Sequence, residues 1–175
     1  MRKISVILFL AIISSCTSRE YNNNDPFYLA VKSLEKINYF IKDVHNCENI
    51  NPKTNGCIEK PREDDCFVNL AQLAKINTSG LVEINHFFVK STKDFGDYKF
   101  PRADIREWRC ESVQDAKEIE KIFEKSVMGG HMLDCANMSS MAWWRKNDKL
   151  YVITIGGHYM LNELPKLEKQ LKSKL

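Results

Sequence analysis

Little in this chain suggests a membrane-spanning protein, a nucleic-acid binder or a familiar hydrolase. The longest uncharged apolar stretch, Ile4 to Ile13, covers ten residues, and a helix needs roughly twenty to cross a bilayer. No run of like charge is long enough for a nucleic-acid footprint, and both signs are interspersed along the sequence. A Gly-x-Ser-x-Gly elbow, a glycine-rich phosphate loop and a His-Glu-x-x-His pair are all absent. There is no internal repeat of solenoid length. These absences point away from an integral helical membrane protein, a nucleic-acid-binding protein and an enzyme with a familiar signature, and no cofactor motif is present.

The N-terminus does carry a pattern. Arg2 and Lys3 precede the apolar run, which ends in Ser14, Ser15 and Cys16. A basic start, a short apolar segment and small residues before a cut is the arrangement of an export signal. The tetrapeptide Ile13-Ser14-Ser15-Cys16 resembles the lipobox of bacterial lipoproteins. In that family the cysteine receives diacylglycerol and the small residues before it suit the signal peptidase. The resemblance covers only this N-terminal segment. It implies residues 1–15 as signal, Cys16 as the lipidated first residue, and attachment to a membrane in the cell envelope, facing the periplasm or the exterior. Each buried acyl methylene contributes about 0.8 kcal/mol, so two or three chains would hold stably. Thr17, which stands where an Asp implies inner-membrane retention in enterobacterial relatives, leans towards the outer membrane. Residues 16–24 then read as a lipidated cysteine and a polar tether.

Without the signal, 160 of the 175 residues remain, enough for one domain with a core of its own. The formal charge of +3 includes Arg2 and Lys3, so the mature part is close to neutral. The most basic stretch is Lys166, Lys169, Lys172 and Lys174, interleaved with Glu163 and Glu168; a solvated helix face is the simpler reading, a membrane-surface or partner patch the sharper one. With Cys16 committed to lipid, Cys47, Cys57, Cys66, Cys110 and Cys135 remain in a compartment that permits disulfides. The expectation is one bridge within the Cys47, Cys57 and Cys66 group, one between Cys110 and Cys135 worth roughly 3.5 kcal/mol by loop entropy, and one free thiol.

For residues 25–175 the pattern predicts a single α+β domain: an antiparallel sheet of about four strands with helices packed on one face. Asp25 and Pro26 open a helix, and Phe27, Ala30, Val31, Leu34, Ile37, Ile41 and Val44 recur at helical spacing. A shorter helix is expected over 64–74. Leu81 to Val89 and Ile105 to Cys110 read as strands, with a helix after Ser112 and Asp115 that Gly129 and Gly130 stop. Met141 to Arg145 and Leu150 to Ile155 form the best hairpin. A last helix runs from about Asn162 to Lys174, with Pro165 in its first turn.

Two sets of residues are candidates for function. Adjacent Trp143 and Trp144 face opposite ways on a strand, so one is available as a binding anchor, with Arg145 and Tyr151 beside it and Trp108 on whichever face it shares. The echo Gly129-Gly130-His131 and Gly156-Gly157-His158 brings two imidazoles next to flexible turns. With Cys135 they suggest a soft metal or thiol site, or a cysteine nucleophile served by His131, His158 or His86. The preferred reading is a non-enzymatic, lipid-anchored binding or inhibitor (immunity-like) module whose partner is a protein or other envelope ligand. The alternative is a metal-handling or thiol-active protein using His131, Cys135 and His158.

Overall fold

The computed structural model describes residues 22–47, 76–77, 79–96, 99–128, 140–156 and 160–175. Asp25 accepts hydrogen bonds from the backbone amides of Phe27 (2.8 Å) and Tyr28 (3.0 Å). It thereby caps α1, Pro26–Lys32, as expected of an acidic residue before a proline. A 3-10 turn, Ser33–Ile37, follows and stops at Asn38, whose φ of 69° lies in the left-handed region that asparagine tolerates.

Beyond Asn38 the expected helix is not continued. Tyr39–Cys47 is β1, paired antiparallel with β2, Leu81–Ser91. The misreading has a physical cause. The β1–β2 register shifts between Ile41 and Asp43, so one extra residue bulges out. Ile41 and Val44, three apart, therefore both pack against the same core layer, which imitates helical spacing.

The remaining elements follow the sequence pattern closely. They are β3 (Arg102–Cys110), α2 (Val113–Met128), β4 (Ser140–Lys146), β5 (Lys149–Ile155) and α3 (Leu164–Lys172). Ser112 Oγ accepts from the Asp115 amide at 3.1 Å and donates to its carboxylate at 2.5 Å, fixing the start of α2. Lys146 pairs directly with Lys149, so the hairpin turn is the two residues Asn147 and Asp148, with Asn147 at φ 56°. The expected helix over 64–74 lies outside the described residues.

All five strands form one antiparallel sheet in the order β1-β2-β3-β5-β4. The α+β class and the packed helices are as the pattern predicts, with β1 as the additional strand. The helices do not share one face. Because side chains alternate along a strand, Tyr151, Ile153 and Ile155 join Phe87, Val89 and Ile105 beneath α1 and α3. Leu150 and Val152 join Ile84 and Trp108 beneath α2, where Ala116, Ile119, Ile122 and Phe123 supply the helix side. Each layer buries several large aliphatic or aromatic side chains at roughly 1.5–3 kcal/mol apiece, and unfolded-chain entropy offsets most of that total.

Candidate functional site

The central strand, β3, reads Arg-Ala-Asp-Ile-Arg-Glu-Trp-Arg-Cys, five of nine residues charged. A strand flanked on both sides by others does not carry that much charge if both faces are wholly apolar. Each face is divided. Beneath α1 and α3, Ala103 and Ile105 meet the core, while further along the same side Glu107 and Arg109 meet polar partners. On the α2 side, Trp108 and Cys110 meet the core, while Asp104 and Arg106 lie at the other end.

The first polar group centres on Glu107, whose residue is only 2% exposed. One carboxylate oxygen accepts from Asn85 Nδ2 at 3.2 Å and the other from Lys149 Nζ at 2.9 Å. The Tyr151 hydroxyl is a third donor, and burial, with Glu107 next, raises its ionisation well above the ordinary phenol range. A carboxylate accepts without donating, which suits three converging donors. Beside it Arg109 pairs with Glu83 at 2.5 Å.

The second polar group pairs His86 Nε2 with Asp104 Oδ1 at 2.7 Å. Burial alone would raise the Asp104 ionisation. The His86 hydrogen bond, followed by the charge of Arg106, outweighs it and holds the carboxyl below its usual range. Arg106 is the cross-strand partner of His86, and Thr154 is that of Asp104. The Thr154 hydroxyl is buried with no hydrogen-bond partner. Among the described residues no group of three or more His, Cys, Asp or Glu side chains is arranged to hold a metal ion.

The expected aromatic surface is split between the two faces. Trp143 packs on Phe123 of α2 (ring centroids 5.8 Å), which in turn meets Trp108 at 5.2 Å. Arg145 shares that side and pairs with Glu120 of α2 at 2.9 Å. Trp144 lies on the opposite side, stacked on its cross-strand partner Tyr151 at 5.2 Å and covered by the ammonium of Lys172. Tyr151 is itself buried. Both tryptophans are thus partly buried under helices because both faces carry one.

The expected Cys110–Cys135 bridge is not formed. Cys110 is a free thiol, buried at the end of β3 among Leu81, Trp108 and Ala116. There it serves as a small apolar side chain. Burial, then the charges of Asp115 and Asp148, pushes the thiol up to about 12, which makes it a poor nucleophile. No disulfide is formed among the described residues. Cys16, Cys57, Cys66, Cys135, His131 and His158 lie outside the described residues, as does the side chain of Cys47.

Sequence reading missed the Glu107 and His86–Asp104 groups. The signal available for them was the charge density of β3, which periodicity of apolar residues does not register. No protein-family model, curated protein or solved structure matches the chain.

Proposed function

We propose that the chain is a lipid-anchored protein of the bacterial cell envelope, and that its α+β domain is a non-enzymatic binding or inhibitor module for a protein or other envelope ligand. The observation that carries the anchoring is Ile13-Ser14-Ser15-Cys16 at the end of a short basic and apolar leader. In support, α1 begins at Pro26 behind its Asp25 cap, so only a short polar segment separates the proposed lipid from the domain. The binding role is supported by the manner in which the described polar groups are used. Glu107, His86, Asp104 and Arg145 all engage neighbouring side chains, an arrangement that makes a rigid scaffold on which contacts can be displayed.

The test is metabolic labelling of the full chain with an alkyne-bearing fatty acid in a bacterial host, alongside C16A. Label on the membrane-associated wild type and none on C16A is the expected result. Equal labelling of both proteins, or wild type recovered in the soluble fraction, contradicts the anchoring. The binding role requires a partner that remains stoichiometric after crosslinking to the anchored protein and purification. Turnover of an envelope substrate by the purified protein would replace binding with catalysis.

A further inference from the structure

We propose that α3 makes a second, electrostatic contact with the membrane, its lysine-bearing outer face resting on anionic lipid headgroups close to the anchored Cys16. The proposal rests on the lipid-anchoring reading above and adds an orientation to it. Leu167 and Leu171 turn α3 inward, leaving Lys166, Lys169 and Lys172 exposed on the helix and Lys174 exposed just beyond it. The nearby acids offset only half of this charge. Glu163 is buried and accepts from the Tyr39 hydroxyl at 2.9 Å, besides pairing with Lys166, and Glu168 is taken by Lys172. Lys169 and Lys174 have no ion-pair partner among the described residues.

Position then selects the occupant. The last turn of α3 packs beside α1: Gln170 Nε2 donates to Ser33 Oγ at 3.1 Å at the C-terminal end of α1, and two ring contacts and one cation–π contact lead from Phe27 in its first turn to Lys172. Phe27 meets Tyr151 at 5.7 Å, Tyr151 stacks on Trp144 at 5.2 Å, and Lys172 lies 5.2 Å over Trp144. Residues 17–21 are all that separates Cys16 from Asn22, a reach of at most about 22 Å at full extension. A domain held that closely carries the basic end of α3 to within reach of the headgroups, and an anionic bilayer is the complementary surface that the anchor itself supplies. Each lysine brought to such a surface favours the bound orientation by about fivefold at low salt, and the effect is screened as salt rises.

The experiment uses the full-length protein, isolated with its lipid and reconstituted into vesicles of phosphatidylcholine alone or with phosphatidylglycerol. A membrane-impermeant amine reagent is applied and the modified lysines are located by peptide mass spectrometry. Expected is several-fold slower modification of Lys169 and Lys174 on phosphatidylglycerol vesicles only, lost in high salt, with Lys90 and Lys99 unchanged. The charge-reversed K169E protein should float with both vesicles yet lose the protection at Lys174, and K174E should likewise lose the protection at Lys169. Equal modification on both vesicle types, with the protein still vesicle-bound, overturns the headgroup contact while leaving the anchor intact. A protein that binds neither vesicle type overturns the anchor and this contact with it. Protection produced by added polyglutamate and not by phosphatidylglycerol assigns the face to an acidic protein instead and overturns the proposal.

Discussion

Replacing Lys149 with Met removes the ammonium that pairs with the buried Glu107 carboxylate while keeping an unbranched side chain of similar length. Breaking a fully buried ion pair by deleting one partner costs about 3–5 kcal/mol, because the other charge is left uncompensated. Here the figure must be reduced. The Lys149 side chain is 31% exposed while that of Glu107 is 2% exposed, so water reaches the cation and weakens its share. The Asn85 amide and the Tyr151 hydroxyl also stay in place as donors. The expected loss for K149M is therefore about 2 kcal/mol. Glu107→Gln is no milder, since three donors then converge on an amide that can accept at its oxygen alone. It should lose about 1–3 kcal/mol. In K149M/E107Q both charges go together, and the double variant should be more stable than the sum of the two single losses predicts, by about 1 kcal/mol or more. Urea unfolding followed by tryptophan fluorescence gives each value by linear extrapolation. A loss below about 0.5 kcal/mol for K149M, with additive behaviour in the double variant, would refute the claim that Glu107 is held as a buried charge.

Cys110 should resist a thiol-specific disulfide reagent in the folded protein and react promptly in denaturant; rapid native reaction at this residue, mapped by peptide analysis, contradicts its burial. Because the folded thiol is pushed from 9.0 up to about 12, and the Tyr39 and Tyr151 hydroxyls are also raised by burial, the unfolded chain loses these protons first as pH rises. Stability should then fall progressively above about pH 9, less steeply in C110A, and a slope unchanged in C110A opposes the assignment. Asp104 works in the opposite sense. Its folded value lies below 3.8, so its contribution is present above the unfolded value and is lost as pH falls through the folded one, and D104N should show a smaller acid loss than wild type in urea midpoints taken from pH 6 down to pH 2; parallel profiles would refute this. Gly80→Ala places a methyl group 2.6 Å from the Asp115 Cβ and should destabilise by about 1–3 kcal/mol. Part of that loss should return in G80A/D115A, and a fully stable G80A would show that α2 shifts freely over the end of β2.

Periodicity made β2, β3, α2, the β4–β5 hairpin and α3 legible, since each carries a clean period of two or three to four residues bounded by Gly, Asn, Ser or Pro. The first element was only half legible. Asp25 and Pro26 mark its start without ambiguity, but the bulge after Ile41 gives a strand the spacing of a helix. The distribution of helices over two faces was written in β5, where Leu150 and Val152 alternate with Tyr151, Ile153 and Ile155 and all five are buried. An uninterrupted apolar strand is covered on both sides. The tryptophan pair was rightly expected to point two ways, but the surface drawn from it assumed one open face. Cys110 shows the limit of counting cysteines, because a thiol packed against Trp108 and Ala116 satisfies the same apolar environment as an alanine or valine. The charged groups around Glu107 and Asp104 depend on cross-strand register, which no local pattern specifies.

Anchoring at Cys16 is the claim on which the proposed function and the orientation of α3 both depend. Its most direct measurement is the mass of the N-terminal peptide of the protein extracted from membranes. The predicted result is a chain that starts at Cys16 and carries the added mass of a diacylglycerol on its thiol. A peptide that begins at any other residue, or an unmodified Cys16, contradicts the account.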